Sequence, residues 1–221
     1  MCFTPIISFL TFAIELALAV YIIKLNPKKS LNIISATILF FLGAYQFSEF
    51  GLCTSNNSLL WAKIGFISYT VLPVLGVHWA LILKKSKEKI WPVYVLPASF
   101  IALAAANAGF VKYAECSWLF VNVVYQWSFL WSWVYKSYYA ILLVMGAAIL
   151  LKSIANENNK KRRLLYILGL AGYFSFTFPT FFFILLLPSF NIYFPSILCH
   201  FAILFAIIIA YVIYLDSKMS L

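Results

Sequence analysis

Long apolar runs separated by short polar intervals dominate the chain. Stretches of about 20 residues, the length a bilayer core requires, recur at roughly 3–24, 31–53, 59–83, 90–110, 129–151, 164–187 and 192–215. Within each run the apolar side chains are continuous, not alternating, which selects helices over the strands of a membrane barrel. The pattern predicts an all-α integral membrane protein, a seven-transmembrane-helix bundle forming a single domain over residues 1–221. Prolines inside the runs (Pro73, Pro97, Pro179, Pro195) predict kinks of the kind membrane helices tolerate. The connections are short except 111–128, "VKYAECSWLFVNVVYQWS", which is expected to be a long aromatic loop outside the membrane. The first run has no basic leading segment and no A-x-A-like cleavage site, and is too long for a signal peptide, so it is read as a true span.

Composition agrees with that pattern. Hydrophobic residues make up 65% of the chain and charged residues 10%, with a mean hydropathy of +0.98; a soluble domain is closer to half and a quarter. The lipid bilayer is therefore the first partner. The net charge of +10 would call for nucleic acid only on a soluble basic face, and none is available, so no nucleic-acid partner is expected. The charge reports topology instead. The intervals "KLNPKK", "KKSKEK" and "KSIANENNKKRR" hold twelve of the sixteen basic residues, whereas the intervals between them hold only Lys112. Basic loops stay cytoplasmic, so the N-terminus is expected outside and the C-terminus inside. The run Lys160-Lys161-Arg162-Arg163 serves topogenesis and attraction to anionic lipid, or a specific docking site.

Orientation converts positions into depths, at about 1.5 Å per residue. Lys136 falls about 10 Å below the outer boundary, Glu49 about 6 Å and His200 about 12 Å. Glu15 falls near the midplane, and His78 in the inner half. A charge at a helix centre costs about 2.5–3.5 kcal/mol on insertion scales, so such residues need water or partners. Tyr45 and Gln46 share a helical face with Glu49; Ser132, Trp133 and Tyr139 flank Lys136; Asn107 and Thr177 are within reach of the same level. One reading is an outward-opening ligand pocket lined by Glu49, Lys136, His200, Tyr45, Gln46, Trp133 and Tyr139. Another is a structural Glu49–Lys136 ion pair, or a Lys136 that snorkels to the headgroups. His78 and His200 also suit ordinary hydrogen-bonded packing, and Glu15 either pairs within the bundle or is protonated. Cys53 and Cys116 both fall on the outer face, where a disulfide can persist; two free thiols are the alternative, and Cys199 is read as packing. Trp118, Tyr125 and Trp127 form either part of a lid or, preferably, an interfacial aromatic belt.

Several chemistries lack their residues. The chain has no phosphate-binding glycine motif, no H-E-x-x-H and no G-x-S-x-G, and its two histidines lie toward opposite faces. No catalytic residue, metal or cofactor is expected. Helix seven carries no lysine for a retinal-type Schiff base, and no internal repeat of the carrier type is evident.

The succession "NPKKSLN", "ISATILFFLGAYQFSEFG", "LLWAKIGFISYTVLPVLGVHWALIL", "YKSYYAILLVMGAAILL" and "NKKRRLLYILGL" resembles the N-terminal seven-helix sensor region of bacterial and archaeal histidine kinases. The resemblance spans nearly the whole chain, and "WAKIGFISYTVLP" is its most specific piece. It implies a receptor-like bundle in a prokaryotic cell membrane whose last helix signals to a cytoplasmic transmitter. The chain departs from the family after Leu215, where six residues replace the kinase module. The expectation is thus a non-enzymatic stand-alone sensor acting through a separate cytoplasmic signalling protein, with a homo-oligomer as a further option. A small-solute carrier or a structural subunit of a membrane complex is the alternative.

Overall fold

The computed structural model describes residues 5–86, 88, 90–116, 121–126, 128–181 and 198–219, with the side chains of 180, 181 and 198–200 outside that set. Seven α-helices occur among the described residues: α1 (Pro5–Leu25), α2 (Ser30–Thr54), α3 (Ser58–Leu83), α4 (Val95–Ala106), α5 (Phe129–Asn156), α6 (Lys160–Phe181) and α7 (Leu198–Met219). A 3-10 turn, Trp91–Tyr94, leads into α4. The strands β1 (Val111–Cys116) and β2 (Val121–Tyr125) lie between α4 and α5. Neighbours in sequence pack side by side, α1 on α2, α2 on α3, α5 on α6 and α6 on α7. Helix α3 also packs on α5, and α7 returns to α1 and α2, which closes the bundle; α4 rests on α3.

Five helices (α1, α2, α3, α5, and α7 from Phe201) are long and apolar enough to cross a membrane. Their side chains are sorted as an apolar solvent would sort them. Helix α1 buries Ser8, Thr11, Glu15, Ala19 and Ile22, one stripe with spacings of three and four residues, and exposes Ile6, Phe9, Leu10 and Ile14. Polar groups turn inward because lipid offers them no hydrogen bonds. Helix α3 is the central element, with Phe66, Val74, Val77, Trp79 and Ala80 buried around its circumference. Trp79 donates its indole N–H to Ser35 Oγ at 2.9 Å, which fixes α3 to α2 in the bundle interior. Glycines permit the closest approaches: a methyl group on Gly51 would overlap the Trp61 ring, and one on Gly146 the Tyr173 hydroxyl.

The helix ends use side chains where the backbone runs out of partners. Asn57 accepts from Leu60 N at the start of α3, and Ser128 from Trp131 N at the start of α5. Asn32 Nδ2 donates to the Ile22 carbonyl at 3.0 Å, clamping the turn between α1 and α2. Lys29 in the same turn pairs with Asp216 near the end of α7. Helix α3 stops in a paired-carbonyl cap, with Ser86 N bonded to Leu81 O and Lys85 N to Ile82 O, both at 2.9 Å. That cap puts Lys85 at φ 59°, a left-handed conformation usually taken by glycine.

Three expectations need correction. The run 90–110 is not one α-helix: the 3-10 turn Trp91–Tyr94 runs directly into α4, and the two form one apolar helical stretch, Trp91–Ala106, of about 26 Å against about 30 Å of hydrocarbon. Pro97 stands in the first turn of α4, where its missing N–H has no intrahelical acceptor to lose, so it implies no kink. The interval 111–128 is not simply a loop, because it holds both strands. Pro195 lies outside the described residues, as do parts of the runs 164–187 and 192–215.

The cap of α3 generates a prediction. Lys85→Gly removes a left-handed penalty of about 1 kcal/mol for a residue with a Cβ and should raise the melting temperature of the detergent-solubilised protein. An unchanged or lower melting temperature would mean that the Lys85 side chain contributes as much as its backbone costs.

Candidate functional site

The strands form an antiparallel hairpin, pairing Cys116 with Val121, Glu115 with Asn122, Ala114 with Val123 and Tyr113 with Val124. A bulge at Lys112 shifts the register so that Val111 meets Tyr125. At the base, Gln126 N bonds to Phe110 O at 2.8 Å. Cys116 is joined by a disulfide to Cys53 in the last turn of α2, with their Cα atoms 5.1 Å apart. The hairpin is thus covalently pinned to the helix bundle and packs on α2 and α3.

Beneath it lies a continuous set of aromatic rings. Phe66 of α3 is fully buried, with ring centroids of Phe110 at 4.7 Å, Tyr125 at 5.3 Å, and Tyr69 and Tyr135 at 5.4 Å. Phe100 of α4 reaches Tyr135 at 5.0 Å, and Tyr45 of α2 meets Tyr69 edge-on at 5.8 Å. Edge-to-face pairs of this kind contribute about 0.5–1.5 kcal/mol beyond their burial. Burial pushes the Tyr125 hydroxyl up to about 12, partly offset by its hydrogen bond with Tyr69.

The hydroxyls converge on one stretch of α3. Pro73 has no N–H, so the Tyr69 carbonyl four residues earlier has no helical donor. Tyr139 of α5 donates to that carbonyl at 3.4 Å, a long bond, and its neighbour Tyr138 donates to Thr70 O at 2.6 Å. Tyr135, one turn earlier, shares a hydrogen with Thr70 Oγ1 at 2.9 Å. Three tyrosines of α5 therefore fasten the proline-bearing turn of α3. Beside it is an apolar cavity of about 20 Å³ lined by Pro73, Gly76, Tyr139, Tyr173, Thr177 and neighbouring aliphatic and aromatic groups. Ligand pockets run to about 300 Å³ and above, so this void gives a side chain room to move and does not hold a solute.

The residues singled out in the sequence fall as follows. Glu49 and Gln46 are buried on α2, and Tyr45 is half-buried in the aromatic set. Tyr139 belongs to the fastening of α3. Lys136 is not beside Glu49: it is exposed on α5, its Nζ 5.6 Å from the ring of Trp133, itself exposed. No ion pair joins Lys136 to Glu49 among the described residues. Depth was a poor guide because two residues at one level can face opposite ways. His200 is on the first turn of α7, its side chain outside the described set. Asn107 caps α4, and its carbonyl accepts from Lys63 Nζ at 2.8 Å. Thr177 lines the small cavity, and His78 Nδ1 bonds with Tyr94 OH at 2.7 Å. Tyr125 points into the aromatic set instead of forming a belt; Trp118 and Trp127 lie outside the described residues. Sequence reasoning did not single out Thr70, Tyr135 and Tyr138. A signal existed in "SYTVLP", a proline four residues after a tyrosine, set against the "YKSYY" of α5.

No family model, curated protein or solved structure matches the chain.

Removing the Tyr138 hydroxyl (Tyr138→Phe) should destabilise the folded protein by about 0.6–1.7 kcal/mol, the range measured for interhelical hydrogen bonds in membranes. Tyr139→Phe, which loses the longer bond, should cost less; a reversed order in thermal melts would show that the carbonyl freed by Pro73 dominates. Reducing the disulfide should cost about 2–4 kcal/mol and raise amide exchange in β1 and β2.

Proposed function

We propose that the chain is a seven-pass membrane protein, N-terminus outside and C-terminus cytoplasmic, that senses at its outer face and passes the signal inward. Three basic intervals on one side support this orientation. The observation that carries the sensing is the continuous contact from the disulfide-pinned hairpin to the proline-bearing turn of α3. Tyr125 on β2 pairs with Tyr69, whose carbonyl is the one Pro73 leaves without a helical donor. A stimulus that shifts the hairpin pulls on that turn, and the adjacent void gives the Tyr139 and Tyr173 side chains room to respond. Two arrangements of α3 against α5 would then be biased by ligand through differential binding. Glu49, Gln46 and Tyr45 are the candidate contacts on α2, and Lys136 acts at the lipid boundary through Trp133. The basic cytoplasmic intervals present the output to a separate signalling protein or a second copy.

A carrier is the second reading, favoured by one observation: a buried polar stripe (Ser8, Thr11, Glu15) along α1.

The test is amide exchange of the full chain in nanodiscs, with the Cys53–Cys116 bond intact and reduced. Faster exchange in β1–β2 accompanied by faster exchange in α3 residues 69–77 is the expected result. Change confined to the hairpin would sink the coupling, and proton or solute flux in liposomes would move the carrier reading ahead.

A further inference from the structure

We propose that Glu15 is a proton-binding site in the bundle interior, its carboxyl kept neutral where α1 meets α2. The proposal does not depend on the sensing reading. Glu15 has 0% of its surface exposed, and neither Oε1 nor Oε2 receives a hydrogen bond. Neither of the two ion pairs among the described residues reaches it. Beside it lie Phe12 and Thr11, about one turn earlier on α1, and Gly43 of α2, where an added methyl group would lie 3.6 Å from Glu15 Oε2.

An ionised carboxylate in such a place has lost its water and gained nothing in exchange, a penalty of several kcal/mol even after relaxation. A metal ion does not remove it. Hard cations need six or more oxygen ligands, and no group of three His, Cys, Asp or Glu side chains converges among the described residues. A proton needs no other ligand and no space. The charged and titratable groups facing Glu15 reinforce this. From α2 comes Glu49, a second buried acid, and like charges oppose each other. From α7, residues 201–210 carry no titratable side chain, and the side chain of His200 just before them lies outside the described set. The arrangement opposes negative charge from each side described.

Proton release therefore demands a rearrangement: the carboxylate can form only when α1 draws back far enough for water to reach it. Stripping the proton leaves an uncompensated buried charge, so stability should fall as pH rises. Glu15 thus latches α1 to the bundle while protonated.

The experiment uses the full chain in nanodiscs, treated with a hydrophobic carbodiimide at a series of pH values and read by peptide mass spectrometry. The reagent reacts only with the acid form. The carboxyl proton passes to a reagent nitrogen, the oxygen adds to the central carbon, and an acyl shift leaves a stable N-acylurea carrying the reagent's whole mass. The expected result is label on the Glu15 peptide at neutral pH, declining as pH rises and absent in Glu15→Gln. Infrared spectra of the unmodified protein supply a reading that needs no variant to fold: a protonated-carboxyl C=O band that weakens with rising pH. Glu15→Gln, neutral and close in shape, should melt like the parent at neutral pH and lose less stability on alkalinisation. Absence of both label and band throughout the pH range would overturn the proposal. So would a Gln variant destabilised equally at all pH values, since that would reveal an ionised Glu15 with a positive partner.

Discussion

The hairpin end of the bundle is arranged around one missing hydrogen. Pro73 sits in the middle of α3, the most enclosed helix, and leaves the Tyr69 carbonyl without its helical partner. In water such a carbonyl would be solvated. Within a bundle surrounded by lipid it must be supplied from a neighbouring helix or remain an uncompensated dipole. Helix α5 supplies it with the Tyr139 hydroxyl, while the adjacent Tyr138 donates to the next carbonyl, Thr70 O, and both bonds hold α5 against α3. Tyr135, one turn earlier on α5, packs on Phe66 and Phe100, and Phe66 in turn meets the hairpin residue Tyr125. A backbone defect in one helix thus organises side chains from α2, α3, α4, α5 and β2.

The two ends of the bundle are tied differently. At the hairpin end the tie is covalent, Cys53 to Cys116, across 63 residues of chain. At the opposite end it is electrostatic, Lys29 to Asp216, and joins the turn after α1 to the last turns of α7. A part-exposed ion pair contributes about 0–1 kcal/mol, so the closing of α7 onto α1 rests on packing of Ala202, Ala206, Ile209 and Ile213. Small residues at that seam let the backbones approach, the usual solution where lipid removes the hydrophobic driving force between helices. The firm end and the looser end lie on opposite sides of Pro73, a distribution suited to movement that starts at the hairpin and is expressed beyond the proline.

Hydropathy made the long helices legible. The expected runs 31–53 and 59–83 differ from α2 and α3 by at most one residue at either end. Length and apolar content suffice when a helix must satisfy its own backbone. The same logic failed at 90–110, where "WPVYVLPASFIALAAANAGF" is apolar throughout but yields a 3-10 turn and a short helix, because hydropathy does not register where a helix ends. The hairpin went unread because "VKYAEC" and "VNVVY" are β-branched and aromatic segments inside a membrane-like context, and the helix pattern was applied to everything around them. The candidate site was half legible. Topology put Cys53 and Cys116 on one face and left a disulfide and two free thiols both open; the structure joins them. Lys136 and Glu49 did not meet, because a span gives depth without azimuth, and a side chain's neighbours depend on both.

Lys136 shows what azimuth changes. Facing outward, its ammonium stacks near Trp133 one turn earlier, and the indole face supplies the attraction that a carboxylate would have given. The cost of an amine in that position falls to the point where no internal partner is required. Glu15 has neither recourse: its side chain is shorter, it faces inward, and its two oxygens meet no donor. Two ionisable residues that hydropathy alone treats alike are therefore opposite in kind. The lysine leaves the bundle for the boundary, and the glutamic acid keeps its place in the bundle by giving up its charge. That contrast follows from which way each helix turns its stripe, and it locates the groups that respond to proton concentration on α1, away from the hairpin and its aromatic neighbours.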